Sequence, residues 1–276
     1  MIQTPTLSDE DFRRFSSLIY NKCGICLHEG KKELVRARLN KRLRHTGIDN
    51  FKDYYDYLIK DDSGEELVVM LDAISTNKTS FFREIKHFDF LNEKVFPMYN
   101  EGRFGKKLRF WSAACSSGEE PYTLAMSIYE YFGVNSGYNM KILASDISTK
   151  VLSEAQMGIY PDDRLENIPP NIVRTYFQQG TGRQKGYLRV KPFLRDMIKF
   201  KRLNLMDDFP FKSVFHFIFC RNVMIYFDKN TQERLVNKFY ECMQPGAFLM
   251  IGHSESLTGV KHPFKYIQPS IYQKLN

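Results

Sequence analysis

The rhythm of apolar and polar positions changes once along this chain, near residue 108. Up to about residue 75, apolar residues recur at helical spacing. Ser8 with Asp11 has the form of a capping box opening a helix through Tyr20. Val35, Leu39 and Leu43 recur every four residues in a second helix. Asp49 or Asn50 can cap FKDYYDYLI, and Ser63 with Glu66 opens ELVVMLDAIS. The pattern predicts a small all-α domain over residues 1–76. TNKTSFFRE (76–84) follows, then an amphipathic helix running toward Val95 and stopping near Pro97, so residues 77–107 are expected to link and connect.

From Leu108 the chain reads differently. LRFWSA, MKILASD, VFHFIFC and GAFLMIGHS are apolar runs without alternation, the mark of a parallel sheet covered on both faces, and helical stretches fall between them. Only a short connection separates 246–254 from 264–275, so the last strand must return antiparallel. A mostly parallel, Rossmann-like sheet closed in this way, over 108–276, is the architecture of class I methyltransferases that use S-adenosylmethionine. No GxGxxG is present to favour a dinucleotide dehydrogenase. One insertion interrupts the pattern, at about 158–202. Turn glycines at 180, 182 and 186 bracket the runs YLRV and MIKF, which predicts a small antiparallel β subdomain.

The chemistry concentrates in FWSAACSSGEEPYTLAM (110–126), a strand, a tight turn and a helix start. Phosphate-binding turns of this shape offer bare amides and often a lysine; this one offers Glu119 and Glu120. A carboxylate at such a turn repels phosphate and suits the sulfonium and ammonium of S-adenosylmethionine, while Glu120 and Pro121 also fit a first helical turn. Asp146, at the end of ILASD, is placed to accept hydrogen bonds from ribose hydroxyls or to cap the helix that follows.

Composition narrows the picture further. At 276 residues and 43% hydrophobic, the chain can bury one large core, or a core plus a smaller domain. MIQTPTLSDE has no basic and apolar leader pattern, and no run approaches the roughly 18 apolar residues of a membrane span, so a cytoplasmic protein with reduced cysteines is expected. Cys23 and Cys26 form a lone CxxC without a second ligand pair, and the six histidines are scattered, so no metal is expected and the two cysteines read as small apolar residues. The formal charge of +8 is uneven: residues 30–45 hold seven Lys or Arg against one acid. With Val35, Leu39 and Leu43 packing inward, Lys32, Arg36, Arg38, Lys41, Arg42 and Arg44 are expected on the outer faces, as a docking surface for an acidic partner.

Together the motifs NKTSFFRE (77–84), FWSAACSSGEEPYTLAM, ASDIS (144–148), LNL (203–205), FCRNVMIYFD (219–228) and GHSESL (252–257) resemble, in order and along nearly the whole chain, the CheR-type chemotaxis receptor methyltransferases. The resemblance implies a protein-glutamate O-methyltransferase converting S-adenosylmethionine to S-adenosylhomocysteine. It implies that Asn77, Thr79, Arg83, Glu119, Asp146, Asn204, Leu205, Arg221 and Asn222 bind the cofactor, with Arg83 and Tyr226 holding the reacting carboxylate. The partner implied is the cytoplasmic helical bundle of chemotaxis receptors, docked on the basic helix; the β subdomain either takes up a C-terminal peptide of some receptors as an added strand or only buttresses the cofactor site. A monomer recruited to membrane receptors is expected. An RNA methyltransferase or a catalytically silent scaffold are the other classes this composition would suit. The strand-end motif CRNVMIY is unlike the DPPY or NPPY type used around exocyclic amines, and the full residue set argues against silence.

Overall fold

The computed structural model describes residues 5–75, 77–102, 104–133, 136–212 and 214–275; the expected domain boundary Thr76 lies outside these, as do residues 1–4. Four helices come first: α1 (Asp9–Cys23), α2 (Lys32–Thr46), α3 (Phe51–Lys60) and α4 (Glu65–Ile74). Ser8 and Asn50 cap α1 and α3 by accepting from the amides of Asp11 and Asp53. The start of α4 differs from the expected capping box. Asp61 accepts from the amide of Glu66, and Ser63 from that of Glu65, because the Glu66 side chain is turned inward to Arg42 and Tyr54. Phe15, Leu39, Tyr54 and Met70 close a core that these helices supply almost entirely, with Ile147, just past the strand Asn139–Asp146, packed against it.

The connecting helix does not stop at Pro97. It runs as α5 (Lys86–Phe90), a wider π turn (Leu91–Val95) and α6 (Phe96–Asn100). Proline removes one N–H and crowds the carbonyl four residues earlier; a π turn just before it absorbs both defects without breaking the helix.

The remaining chain builds β1 (Lys107–Ala113), α7 (Glu119–Phe132), β2 (Asn139–Asp146), α8 (Thr149–Met157), β3 (Ile159–Pro161), α9 (Pro170–Tyr176), β4 (Phe177–Gln179), β5 (Tyr187–Val190), α10 (Pro192–Arg195), β6 (Ile198–Arg202), β7 (Phe215–Cys220), α11 (Lys229–Cys242), β8 (Met243–Ile251), β9 (Lys265–Gln268) and β10 (Ile271–Gln273). The large sheet has the order β6-β2-β1-β7-β8-β10-β9, parallel from β6 to β8, with β10 antiparallel to β8. Successive residues of β1 and β7 supply opposite layers. Phe110, Phe217 and Phe219 face the core shared with α7, and Trp111, Ile218 and Cys220 the core shared with α11. That two-sided burial is why the strands read as unbroken apolar runs.

The small antiparallel sheet has the order β3-β5-β4. MIKF does not belong to it: β6 pairs in parallel with β2 and forms the edge of the large sheet. Its exposed side chains are Lys199, Lys201 and Arg202, charges of the kind that discourage edge-to-edge pairing.

Candidate active site

The sheet order reverses between β1 and β7, and a cavity of about 280 Å³ opens at the C-terminal ends of β1, β2 and β7. Its far wall comes from the helical domain, through Cys23, Ile25, Cys26, Leu27, Lys31 and Leu34. Four contacts bolt that wall in place. The amide of Cys26 donates to Tyr226 O (2.8 Å), Ile25 bridges Phe227, Asn204 Nδ2 donates to Lys22 O (2.7 Å), and Tyr20 Oη donates to Asp228 (2.7 Å). CGIC therefore has a role that its residue types did not announce: it shapes the cavity. Burial pushes the Cys23 thiol up to about 11, so that thiol stays protonated at neutral pH.

The turn after β1 has the outline of a phosphate loop, but three of its amides are already committed. Cys115 N donates to Ser145 O (2.9 Å), Ser116 N to Asp146 Oδ2 (2.8 Å) and Gly118 N to Cys115 O (3.1 Å). Ala114 and Ser116 take left-handed backbone conformations to make this turn. Gly118 is required: at φ 97°, an added Cβ would lie 2.9 Å from both Ala155 Cβ and Tyr160 Oη. Asp146 also accepts from Ser148 N (3.0 Å), but the cap of α8 is Ser148, whose hydroxyl accepts from the amide of Val151; Asp146 holds that cap residue and lines the cavity. Burial raises its carboxyl above the usual range, against the opposing pull of those amides. Each of its oxygens keeps a lone pair for a ligand hydroxyl.

Glu119 is not on the cavity wall. Its fully buried carboxylate accepts from Ser117 Oγ and is paired with Arg164, on the side of the small sheet. Adjacent residues on a helix point about 100° apart, so only one of this glutamate pair can face the strand ends, and it is Glu120. Glu120 accepts from Ser112 Oγ (2.7 Å) and pairs with Arg221 (3.1 Å). Arg221 is buried between two acids, since Glu84 takes its Nε and Nη2 at 3.2 and 3.0 Å, and its guanidinium lies against the Phe88 and Phe219 rings. Arg221 is the main influence holding the Glu84 carboxyl below its ordinary range, against burial; burial outweighs it at Glu120 and raises that carboxyl. Nothing in the sequence marked Glu84 or Glu120 as partners of a residue more than a hundred positions away.

Asn77, Thr79 and Arg83 line the cavity from the interdomain segment, and Asn204, Leu205, Asn222 and Tyr226 from the sheet side. Asn77 offers its carbonyl to Ser116 Oγ (2.8 Å). The Asn204 side chain is largely occupied with Lys22 O and the amide of Met206, leaving Leu203 and Leu205 as the apolar surface there. Arg83 donates through Nη1 to Lys78 O (3.0 Å), which orients the guanidinium.

The basic helix is less free than its pattern suggests. Arg42 makes a two-point pair with Glu66 at 2.9 and 2.7 Å, and the two side chains are only 14% and 10% exposed. Arg38 donates to the carbonyls of Ile74 and Ser75 at the end of α4. Lys32 pairs with Asp9, and Arg36 with Glu33. Arg38 and Arg42 each lie one position before an inward residue, Leu39 and Leu43, where a long side chain can reach across the neighbouring helix. Lys41 and Arg44 are exposed.

Glu84, His87 and His253 bring ligand atoms within 4.8 Å of one another. The Arg221 guanidinium on the same carboxylate opposes a cation there, and burial, with Arg221 second, pushes His87 down to about 3. The cavity itself combines carboxylates at Glu120 and Asp146 with apolar surface at Leu203 and Leu205, and acids stand where a phosphate cradle would carry a lysine. That donor set fits a molecule with cationic centres, hydroxyls and a flat base, as S-adenosylmethionine has.

Comparison with known proteins agrees in extent. Residues 10–75 match the family described as "CheR methyltransferase, all-alpha domain", and residues 77–272 "CheR methyltransferase, SAM binding domain". The chemotaxis protein methyltransferase of Borreliella burgdorferi is 45% identical over 97% of this chain and 95% of its own length. Those of Klebsiella aerogenes and Salmonella typhimurium are 40% and 38% identical, each over 99% of this chain and 92% of their own length.

Proposed function

The chain belongs to the CheR methyltransferase family, S-adenosylmethionine-dependent enzymes of chemotaxis, and on that premise we propose that it methylates glutamate side chains of chemotaxis receptors from the cavity between its two domains. Supporting this is the convergence of Arg83, Glu120, Asp146, Leu205, Arg221 and Tyr226, from five separate segments, on one cavity. S-adenosylmethionine supplies a methyl group made electrophilic by its sulfonium. Asp146 would hold the ribose hydroxyls, Leu205 and Asn204 would border the base, and Asn77, Thr79, Asn222 and the Glu120–Arg221 pair would complete the binding wall.

A receptor glutamate has an ordinary pKa near 4.3 and is already ionised at neutral pH, so no strong general base is needed. Arg83 and Tyr226 hold one carboxylate oxygen and leave the other free to attack; positioning and exclusion of water supply the rate. Lys41 and Arg44 are the basic-helix side chains left to steer an acidic receptor surface, and the exposed edges at β3 and β4 are where a receptor's C-terminal peptide would add a strand.

Two outcomes are expected. Asp146→Asn should weaken S-adenosylhomocysteine binding by about tenfold or more, the value of a hydrogen bond to a charged acceptor, as read by calorimetric titration. Asparagine is the milder probe, because it keeps an acceptor for one of the amides of Ser116 and Ser148, whereas alanine orphans both. Unchanged affinity would take Asp146 out of the site. Tyr226→Phe should lower kcat more than it lowers cofactor affinity; equal turnover would remove the hydroxyl from the reaction.

A further inference from the structure

We infer that Glu255 is the positioning residue that holds the Arg221–Tyr226 loop in its working shape. The inference rests on the glutamate-methylation reading above and deepens it. The loop leaves the end of β7 and must do two things at once: keep the Arg221 guanidinium between Glu84 and Glu120, and carry Tyr226 to the cavity wall. It does so through a left-handed Asn222, at φ 59°, a conformation uncommon outside glycine that asparagine tolerates best and that the contacts here hold in place.

Glu255 does the enforcing. Its Oε2 accepts from the amides of Asn222 (2.9 Å) and Gly252 (2.5 Å), and its Oε1 from the amide of Ile225 (3.2 Å). One half-buried carboxylate thus ties both ends of the loop to the segment after β8. The Gly252 bond belongs to Glu255's own turn, but Asn222 and Ile225 are 33 and 30 residues away, so capping that turn does not account for them. Glu84 completes the clamp by taking Asn222 Nδ2 (3.1 Å), fixing the side chain while Glu255 fixes the backbone. At Gly252 an added Cβ would fall 2.5 Å from Asn222 Nδ2 and 2.9 Å from Glu255 Oε2, so the glycine is what lets the two loops approach. Glu255 does not line the cavity, and its effect on the reaction passes through Asn222 and Ile225.

A carboxylate is the only side-chain group that offers two acceptor oxygens and no donor. In Glu255→Gln an NH2 group replaces one oxygen and must face an N–H, while Glu255→Ala leaves all three amides unpaired. The test uses the full chain. For wild type and both variants, it measures kcat and KM for S-adenosylmethionine with receptor cytoplasmic fragments, the Kd for S-adenosylhomocysteine, amide hydrogen exchange of the ligand-free protein, and the unfolding midpoint. In Glu255→Gln, kcat should fall by about tenfold or more and exchange at Asn222 and Ile225 should accelerate by a similar factor, while the Kd changes by less than about threefold. Added acetate should restore part of the kcat of Glu255→Ala by occupying the vacated acceptor site. Wild-type turnover with only a lower midpoint would make Glu255 merely structural and overturn the inference. So would kcat and affinity falling together with no response to acetate. If wild type itself leaves receptor fragments unmethylated, the glutamate reading falls and the exchange measurement alone decides: exchange at Asn222 and Ile225 equal to wild type overturns the positioning role, and acceleration upholds it.

Discussion

Arg42→Ala should destabilise the helical domain by about 3–5 kcal/mol, the cost of stranding one charge of a buried pair. The stranded group is Glu66, which is 9% exposed, takes both prongs of the guanidinium and also accepts from Tyr54 Oη at 2.6 Å. Nothing else charged and described pairs with it. Arg44→Ala, at an exposed position two residues on, should change stability by no more than about 0.5 kcal/mol. Urea unfolding of the two variants checks the contrast, and equal midpoints would mean that Arg42 is the solvated docking residue its sequence context suggests. The distinction decides how receptor docking is to be probed. Reversing Arg38 and Arg42 would damage the domain that walls the cavity, whereas reversing Lys41 and Arg44 tests steering alone, as a methylation rate that falls and loses its salt dependence.

Arg221→Met should be the most damaging single change near the cavity. The side chain is 2% exposed and neutralises two acids, Glu84 and Glu120, that come from different segments. Removing it leaves both carboxylates buried without their cation, at about 3–5 kcal/mol, and frees the 221–226 loop, so methyl transfer should fall by two orders of magnitude or more. The pH dependence has a definite sign. In the wild type, Glu84 titrates below its ordinary value, so its contribution to stability is present above the unfolded pKa and is lost as pH falls through the folded one. In the variant both carboxyls should titrate above the unfolded value, so protonation favours the folded state. The stability deficit against wild type should then shrink as pH drops from 7 toward 5. A deficit that stays constant over that range would show that the two acids are not paired through Arg221.

The fold was legible where each segment's burial is settled by a layer, and illegible where it depends on a distant partner. β1, β2, β7 and β8 stood out because both their faces are covered. MIKF was misplaced because its neighbour β2 lies more than fifty residues back, and an edge strand with alternating charges looks the same in either sheet. Pro97 reads as a stop unless a π turn precedes it, and no local spacing announces one. In the site, residue types pointed to carboxylates at the β1 turn, but which glutamate faces the cavity depends on the rotation of α7, fixed by packing beneath Gly118. For the cavity wall built by CGIC and the clamp made by Glu255, the CxxC and GHSESL motifs marked the places but not the roles. Both act through backbone amides, and those bonds exist only once the two domains or the two loops have met.

The central claim is a chemical one, that the methyl group goes to a carboxylate of a receptor protein. Incubating the full chain with methyl-labelled S-adenosylmethionine, receptor cytoplasmic fragments and cellular RNA in one mixture tests it directly. The account predicts label on the receptor fragment, released as methanol by mild base and absent when the target glutamates are replaced by alanine. Label in the RNA fraction, or on protein in a form that base does not release, would contradict it.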